Sequence, residues 1–289
     1  METRPLGPSG PPVYPVGLGA MPLSIHGRPP EAEAIRVLLA AFAAGMNLVD
    51  TADAYCLDDR DVGHNERLIA RALREWRGGP VVVATKGACI RPGGAWRVNG
   101  HPDHLKGACD ASLHALGVEA IDLYQLHAPD DRVPFADSVG ALAELRAAGK
   151  VRRVGLSNVS AAQIREAQAI VPIASVQNRC SPFHRSVWRD GVLAHCRREG
   201  IAFLPYGPVG GHGSQGRTAD DPTLNTVARR HGVSPFQVAL AWLLAKSPVM
   251  LPIPGASRVA SAVDSAAAAR LALTADDLAE LDTAFPTSR

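Results

Sequence analysis

Eight short apolar segments, each followed by a stretch with helical periodicity, constrain the fold of this 289-residue chain more than any other feature. Continuous apolar character suits strands buried on both faces, and regular strand-then-helix alternation requires a parallel sheet with right-handed crossovers. A doubly wound sheet and a closed barrel both satisfy this pattern. The apolar segments are 16–20, 47–50, 81–86, 121–127, 151–157, 173–178, 201–206 and 249–254. The helical stretches are 31–44, 65–75, 102–115, 135–147, 160–169, 187–198, 219–230, 235–245, 258–268 and 275–283.

The spacing of the segments favours the closed barrel. Their ends lie roughly 20 to 46 residues apart, without a break where a second domain would begin, and eight successive units are typical of a (β/α)8 barrel. A doubly wound nucleotide-binding fold would close its first strand with G-x-G-x-x-G, whereas Pro22 occupies the third glycine position of this turn. We therefore predict an α/β chain with a single TIM-barrel domain over residues 13–289. The Pro- and Gly-rich residues 1–12 are expected to form a flexible arm.

Composition narrows the class of partner. A formal net charge of +2 gives no broad positive surface for nucleic acid or an acidic membrane, so a small molecule is the expected partner. Five widely spaced cysteines without a C-x-x-C pair argue against a disulfide framework and a zinc site, and no metal is expected. The first residues lack the basic and apolar regions of a signal peptide, so a cytoplasmic location is expected.

Polar residues follow three successive strands of the predicted barrel. Asp50 ends the second strand, Lys86 the third and His127 the fourth, while Tyr55 lies five residues beyond Asp50. The chemistry of such barrels occurs at the C-terminal ends of the strands, and neighbouring strands are about 4.8 Å apart. Each residue alone has an ordinary structural explanation, such as helix capping or packing. Together they predict a cluster of a carboxylate, an ammonium, an imidazole and a phenol.

This cluster suits proton donation by a phenol. A free tyrosine, with a pKa of about 10, is a poor acid at neutral pH, but a nearby ammonium lowers that pKa. We expect Lys86 to supply this field, Asp50 to hold Lys86 charged, and His127 to donate a hydrogen bond to a substrate oxygen. None of these side chains is a source of electrons.

At this point the chain resembles the aldo-keto reductases, a family of NAD(P)H-dependent oxidoreductases on a (β/α)8 barrel. The resemblance covers about residues 13–285. It implies reversible reduction of an aldehyde or ketone to an alcohol with NADPH, and gives Tyr55 the role of general acid. Some relatives that reduce carbon–carbon double bonds carry Glu at the position of His127, so His127 indicates carbonyl reduction. The matching motifs are GLGAM, NLVDTADAY, GHNERLIARAL, VVVATKG, SLHALGVEAIDLYQLHAPD, GKVRRVGLSN, SVQN and LPIPGASR.

The resemblance also implies a cofactor site. It assigns Ser157, Asn158 and Gln177 to the nicotinamide carboxamide and Tyr206 to the nicotinamide ring. It assigns residues 205–213 to the pyrophosphate. The helix start at Arg258 is assigned to a 2′-phosphate, which favours NADPH over NADH. Asp264 stands where the family commonly carries a glutamate against the adenine. The cofactor-binding set is Ala20, Met21, Asp50, Ser157, Asn158, Gln177, Tyr206, Gly207, Pro208, Val209, Gly210, Pro254, Gly255, Ser257, Arg258 and Asp264.

The substrate site is expected to be apolar and open. Trp96 resembles the aromatic wall of family pockets, and the chain ends without a long tail to close the mouth. These features predict small aromatic or apolar aldehydes rather than free sugars. The insertion at residues 56–63 is either a rim of the site or a solvated acidic loop. The predicted substrate-binding residues are Tyr55, Trp96, His127, Leu23 and Leu57.

Two other functions remain open at this stage. A regulatory subunit of the same fold would bind the cofactor with little turnover, although an intact set of Asp50, Tyr55, Lys86 and His127 disfavours it. A metal-dependent barrel hydrolase is disfavoured because no H-x-H pair ends a strand. A monomer is the default expectation for the oligomeric state.

Overall fold

The computed structural model describes residues 3–211 and 215–287. Seven parallel strands, which we number first to seventh, are arranged in chain order, so that each one pairs with the next. Their side chains are nearly all buried, as expected for strands covered on both faces. The strands are Leu18–Gly19, Leu48–Asp50, Val82–Gly87, Leu123–Leu126, Val154–Ser157, Ile173–Gln177 and Ala202–Phe203.

The eighth apolar segment closes the barrel without forming a regular strand. Pro252 and Pro254 have no backbone N–H to donate, so the segment pairs only intermittently. Their carbonyls instead accept hydrogen bonds from the N–H groups of Gly17 and Gly19, at 3.0 and 2.9 Å. Together with the seven strands these contacts confirm the predicted TIM barrel. The parallel bridges of the eighth segment are Phe203 with Met250, Tyr206 with Ile253, and Gly19 with Gly255.

Helices follow the strands on the outside of the barrel, close to their predicted positions. One predicted helix over 187–198 is two helices, because Gly191 adopts a left-handed conformation (φ 80°) between them. The region predicted as 219–230 is also divided, at Asp221, whose side chain caps the second part. The helices are α1 Glu31–Ala43, α2 His64–Glu75, α3 Pro102–Leu116, α4 Phe135–Ala147, α5 Ala161–Gln168, α6 Ser186–Arg189, α7 Val192–Glu199, α8 Gln215–Asp220, α9 Pro222–His231, α10 Pro235–Lys246, α11 Val259–Ala267 and α12 Ala275–Ala284.

The N-terminal residues pack against the bottom of the barrel, contrary to the expectation of a flexible arm. Arg4–Pro5 pairs antiparallel with Pro12–Val13. Leu6 is 0% exposed and joins the apolar cluster inside the barrel. The guanidinium of Arg4 donates to the carbonyls of Ser247 and Met250, both at 2.8 Å. Burial of one leucine and these charge-assisted bonds order a segment whose composition alone indicates a loop.

One hairpin and three 3-10 turns complete the described fold. A two-stranded hairpin, Cys89–Ile90 with Arg97–Val98, lies in the long connection after the third strand. Single 3-10 turns cover Met21–Leu23, Pro92–Gly94 and Ala268–Arg270. All five cysteines are free. Among the residues that the structure describes, no helix has the length and apolar character needed to cross a membrane.

Candidate active site

A cleft of about 430 Å³ opens at the C-terminal ends of the barrel strands. Polar groups of strands two, five and six meet there with residues that follow strands one to four and strand seven, and with the eighth apolar segment. This is the place where a barrel of parallel strands carries its chemistry. The described residues that line the cleft are Gly19, Met21, Pro22, Asp50, Tyr55, Trp96, His127, Ser157, Asn158, Gln177, Arg179, Tyr206, Gly207, Pro208, Val209, Gly210, Gly211, Ile253 and Gly255.

Lys86 is the centre of the hydrogen-bond network beneath the cleft. Its fully buried ammonium donates three hydrogen bonds: to Asp50 Oδ2 at 2.7 Å, to the Thr51 carbonyl at 2.8 Å and to the Tyr55 hydroxyl at 2.9 Å. Burial lowers the pKa of Lys86, and the Asp50 carboxylate opposes that shift. The ion pair keeps a charge in a place where an unpaired ammonium would be costly. The predicted contact of Asp50, Lys86 and Tyr55 is therefore present in the structure.

The pKa of Tyr55 differs from the expected direction. Burial raises it well above the usual value, and the Asp50 carboxylate adds to the increase. These effects outweigh the ammonium at 2.9 Å, so the pKa of Tyr55 is raised rather than lowered as expected. Tyr55 consequently remains protonated at neutral pH, the form needed by a proton donor. Lys86 is placed to stabilise the phenolate only once the proton has left.

Asp50 has a second set of partners that the sequence analysis missed. Its Oδ1 accepts hydrogen bonds from Gln177 Nε2 at 2.8 Å and from Gln125 Nε2 at 3.3 Å. Ser175 donates to Gln125 Oε1 at 3.4 Å. The signal for Gln125 was an amide inside an apolar strand, two residues before His127 and therefore on the same face. These buried amides hold the carboxylate so that its other oxygen faces Lys86.

His127 lies beside Tyr55 at the mouth of the cleft, with ring centroids 5.7 Å apart. Burial lowers the pKa of His127 well below its usual value, and the positive charge of Lys86 adds to this effect. The imidazole is thus neutral at pH 7. Its buried Nδ1 has no hydrogen-bond partner among the described residues.

The three residues assigned to the carboxamide lie side by side on strands five and six. Asn158 has a positive φ of 59°, which turns its side chain toward the cleft. Its amide donates to the His127 carbonyl at 2.9 Å, and its oxygen accepts from the Tyr206 hydroxyl at 2.9 Å. Ser157 and Gln177 are buried next to it and line the same cleft. The structure therefore brings these four predicted residues together.

A glycine-rich turn forms one wall of the cleft after strand seven. Gly207, Gly210 and Gly211 have φ values of 59°, 102° and 83°, which side chains rarely adopt. A Cβ on Gly207 would come within 3.4 Å of the Gly211 Cα. This compact backbone leaves room for a ligand to approach closely. Residues 212 and 213 of the predicted pyrophosphate loop lie outside the described residues.

The predicted contacts to the far end of the cofactor lie outside the cleft. Arg258 is exposed at the start of α11, near Ser257. Both oxygens of Asp264 are already engaged, by the Ser234 hydroxyl and the Gln237 amide at 2.6 Å each. Asp264 therefore anchors the start of α10.

Two further cofactor predictions concern the backbone around strand one and the eighth apolar segment. The side chain of Ala20 is buried, and its carbonyl accepts from Asn65 Nδ2 at 2.9 Å. The Pro254 carbonyl is used in closing the barrel. Neither residue lines the described cleft, whereas Met21 and Gly255 do.

Of the predicted substrate residues, Leu23 and Leu57 are outside the cleft. Leu23 is 0% exposed and points into the hydrophobic core, because the turn Met21–Leu23 directs it inward. Leu57 is exposed on the insertion loop and does not line the cleft. Trp96, by contrast, lines it together with Tyr55 and His127. The structure therefore places Trp96 in the cleft and both leucines outside its lining.

The acidic residues of the 56–63 insertion are engaged locally. Asp61 forms an ion pair with Arg28 at 2.5 Å. Asp59 accepts from the N–H of Gly93 at 3.1 Å, and Asp58 contacts Arg60 at 3.2 Å. None of these carboxylates is among the described lining of the cleft. The insertion is therefore a loop that packs on its neighbours beside the mouth.

Comparison with known proteins identifies the family. The Aldo/keto reductase family model matches residues 15–285. An uncharacterized oxidoreductase of Schizosaccharomyces pombe is 36% identical over 92% of this chain and 85% of its own length. A probable aldo-keto reductase of Glycine max is 32% identical over 97% of this chain and 88% of its own length.

Solved structures agree with this result. A thermostable aldo-keto reductase crystallised with the inhibitor epalrestat superposes with a TM-score of 0.83 at 28% identity, covering 98% of this chain and all of its own. An aldo/keto reductase from Klebsiella pneumoniae, in complex with NADP and acetate, gives a TM-score of 0.84 at 25% identity, covering 100% of this chain and 97% of its own. The fold and the site define a barrel oxidoreductase. The chain belongs to the aldo/keto reductase family.

Proposed function

We propose that the protein reversibly reduces an aldehyde or ketone to the alcohol with NADPH, and that Tyr55 is the proton donor. The observation that carries this proposal is the Tyr55 hydroxyl, 2.9 Å from a buried ammonium and at the wall of an open cleft. A protonated phenol next to a fixed positive charge suits donation to a substrate oxygen.

The residues around the cleft fit a dinucleotide. The half-buried ring of Tyr206 offers a stacking surface, and Ser157, Asn158 and Gln177 offer hydrogen bonds to a carboxamide. The open glycine turn after strand seven gives phosphates access to backbone N–H groups. When bound, NADPH would supply the hydride to the carbonyl carbon. The NADP complex of the Klebsiella relative supports this choice of cofactor.

Tyr55, Lys86 and Asp50 act as a unit in this proposal. Tyr55 donates its proton to the substrate oxygen, which leaves a phenolate 2.9 Å from the Lys86 ammonium. Asp50, at 2.7 Å from Lys86, keeps the ammonium in place and charged. Because both groups are buried, little water screens the attraction that stabilises the phenolate. In the oxidation direction the same phenolate accepts the proton of the alcohol.

His127 orients the substrate. Its lowered pKa makes it a neutral hydrogen-bond donor rather than a competing acid. It stands at the edge of Tyr55, so a carbonyl oxygen bound between the two rings would receive one hydrogen bond from each. Trp96 forms an apolar third side, with its ring centroid 6.3 Å from that of His127.

The test is NADPH consumption with a panel of aldehydes and ketones in the wild type and in two matched variants. Tyr55→Phe should lower kcat by about 10²- to 10⁴-fold while NADPH still binds. Tyr14→Phe is the control, because Tyr14 is also buried but donates to the Ala266 carbonyl away from the cleft. NADPH binding without turnover of any carbonyl would favour a regulatory cofactor-binding subunit instead.

A further inference from the structure

Arg91 is a buried cation whose hydrogen-bond partners are all neutral carbonyls. It is 8% exposed and lies in the loop after the third strand. Nη1 donates to the Cys56 carbonyl at 2.8 Å, Nη2 to Leu57 at 3.1 Å and to Gly94 at 2.7 Å, and Nε to Gly94 at 3.1 Å. No carboxylate contacts it in the part of the chain that the structure describes. A guanidinium placed this way joins the insertion loop to the hairpin that carries Trp96.

The same guanidinium lies over the Trp96 ring. The Arg91 Cζ lies 4.2 Å from the ring centroid, the geometry of a cation–π contact. Arginine can hold carbonyls with its edge and an indole with its face at the same time. The compact ammonium of a lysine cannot do both. Arg91 therefore contacts the ring of a tryptophan that is 44% exposed.

Trp96 in turn meets two residues of the proposed machinery. Its ring centroid is 6.4 Å from that of Tyr55 and 6.3 Å from that of His127, both nearly edge-to-face. These three rings enclose the space where the proposed substrate carbonyl would lie. Arg91 also holds the carbonyl of Cys56, the residue directly after Tyr55. Arg91 thus contacts Trp96, which lies against Tyr55 and His127, and it also contacts the residue next to Tyr55 in the chain.

We propose that Arg91 is a positioning residue that holds Trp96 as a rigid wall of the substrate site and thereby sets a preference for aromatic carbonyl substrates. This inference rests on the proposed reductase function. If Trp96 is ordered before the substrate binds, the binding free energy does not have to offset the entropy lost in ordering that side chain. An aromatic substrate gains most, because its flat ring packs along the indole. A short aliphatic aldehyde, held mainly at its oxygen, depends less on this wall.

The first test compares Arg91→Met with Arg60→Met, an exposed arginine of the insertion loop that pairs only with Asp58. In Arg91→Met the ratio of kcat/KM for benzaldehyde to that for propanal should fall about 5- to 10-fold, mainly through KM for benzaldehyde. The Kd for NADPH should stay within about twofold. Arg60→Met should leave the ratio unchanged. An unchanged ratio in Arg91→Met would overturn the proposal, as would an equal loss for both aldehydes.

A double-mutant cycle separates positioning from general damage. In a Trp96→Ala background, Arg91→Met should change the benzaldehyde-to-propanal ratio by less than about twofold, because the wall is already gone. If Arg91→Met lowers the benzaldehyde-to-propanal ratio by the same factor with and without Trp96, Arg91 does not act through Trp96. Arg91→Lys is the second variant, should the methionine variant not fold, and it should lower the ratio in the same direction.

A spectroscopic measurement tests the contact without turnover. Acrylamide quenching of Trp96, taken as the difference between each protein and its Trp96→Phe counterpart, should increase in Arg91→Met and Arg91→Lys. Unchanged quenching would overturn the positioning role. If the wild type reduces no carbonyl, the proposed function fails, and the quenching result alone decides whether Arg91 holds Trp96.

Discussion

The Lys86 ammonium lies 2.9 Å from the Tyr55 hydroxyl and 2.7 Å from the Asp50 carboxylate, so one buried cation serves both groups. Burial dominates, and the pKa of Tyr55 is raised rather than lowered. The ammonium therefore matters most after proton transfer, when the oxygen carries a full negative charge. This difference leads to a specific pH dependence.

The kcat/KM for reduction should be nearly constant between about pH 6.5 and pH 9. Tyr55, with a raised pKa, stays protonated throughout this range, and His127, with a lowered pKa, stays neutral. Activity should decrease only at more alkaline pH, as the Lys86 ammonium, whose pKa burial lowers, loses its proton before the phenol ionises. A pH–rate profile with a saturating cofactor concentration checks this. An alkaline decrease centred near pH 8 would contradict this prediction.

Trp96→Ala should lower kcat/KM for an aromatic aldehyde by about 5- to 10-fold and that for an aldose much less. The wild type should prefer the aromatic compound, because Met21, Pro22 and Trp96 offer apolar surface in the cleft. A hydroxyl buried against such a surface loses water contacts, at about 1–3 kcal/mol for each unpaired group. Steady-state kinetics on both substrates checks this. A wild-type preference for the aldose would exclude this description of the pocket and leave the roles of Tyr55 and Lys86 untouched.

Arg258→Ala should weaken NADPH about 10- to 150-fold and NADH by less than about threefold, since a charge-assisted bond contributes about 1.5–3 kcal/mol. The exposed guanidinium at the start of α11 has no ion-pair partner in the described structure and is available for a 2′-phosphate. Fluorescence titration with both cofactors is the measurement. Arg74→Ala, an exposed arginine in the last turn of α2, is the control and should change neither Kd. Equal weakening of both cofactors in Arg258→Ala would remove the phosphate contact.

Leu6→Ala should lower the free energy of unfolding by about 2–5 kcal/mol. Leu6 is completely buried inside the bottom of the barrel, and its removal leaves a cavity next to Leu48 and Leu204. Val118→Ala, at an exposed position, serves as the control. Urea denaturation followed by circular dichroism measures both. A Leu6→Ala change as small as that of the control would mean that the N-terminal hairpin contributes little to stability.

The residues at the strand ends could be predicted from the sequence because barrel geometry fixes them. Once the apolar segments are recognised as parallel strands, Asp50, Lys86 and His127 must lie at one edge of the sheet. The loops do not follow this rule. The inward turn of Leu23 and the engagement of Asp264 by Ser234 depend on local backbone conformation, which periodicity does not encode.

Long-range contacts made by single residues could not be predicted from the sequence either. Leu6 is one apolar residue among prolines and glycines, so it produces no periodic signal, yet it fills the barrel floor. Arg91 looks like an ordinary charged residue of a loop, and only the folded chain brings it against Cys56 and Trp96. In both cases the partners are distant in sequence or bind through backbone carbonyls, which carry no residue-specific signal.

The closing of the barrel has a consequence for how the chain is made on the ribosome. The first strand has one edge paired with strand two, and among the described residues its other edge pairs with residues 252–255, near the C-terminus. Until those residues are synthesised, the growing chain carries an open sheet edge. The barrel therefore closes only after its last segment has been synthesised. Nascent chains that end before residue 249 should depend on chaperones to avoid edge-to-edge association.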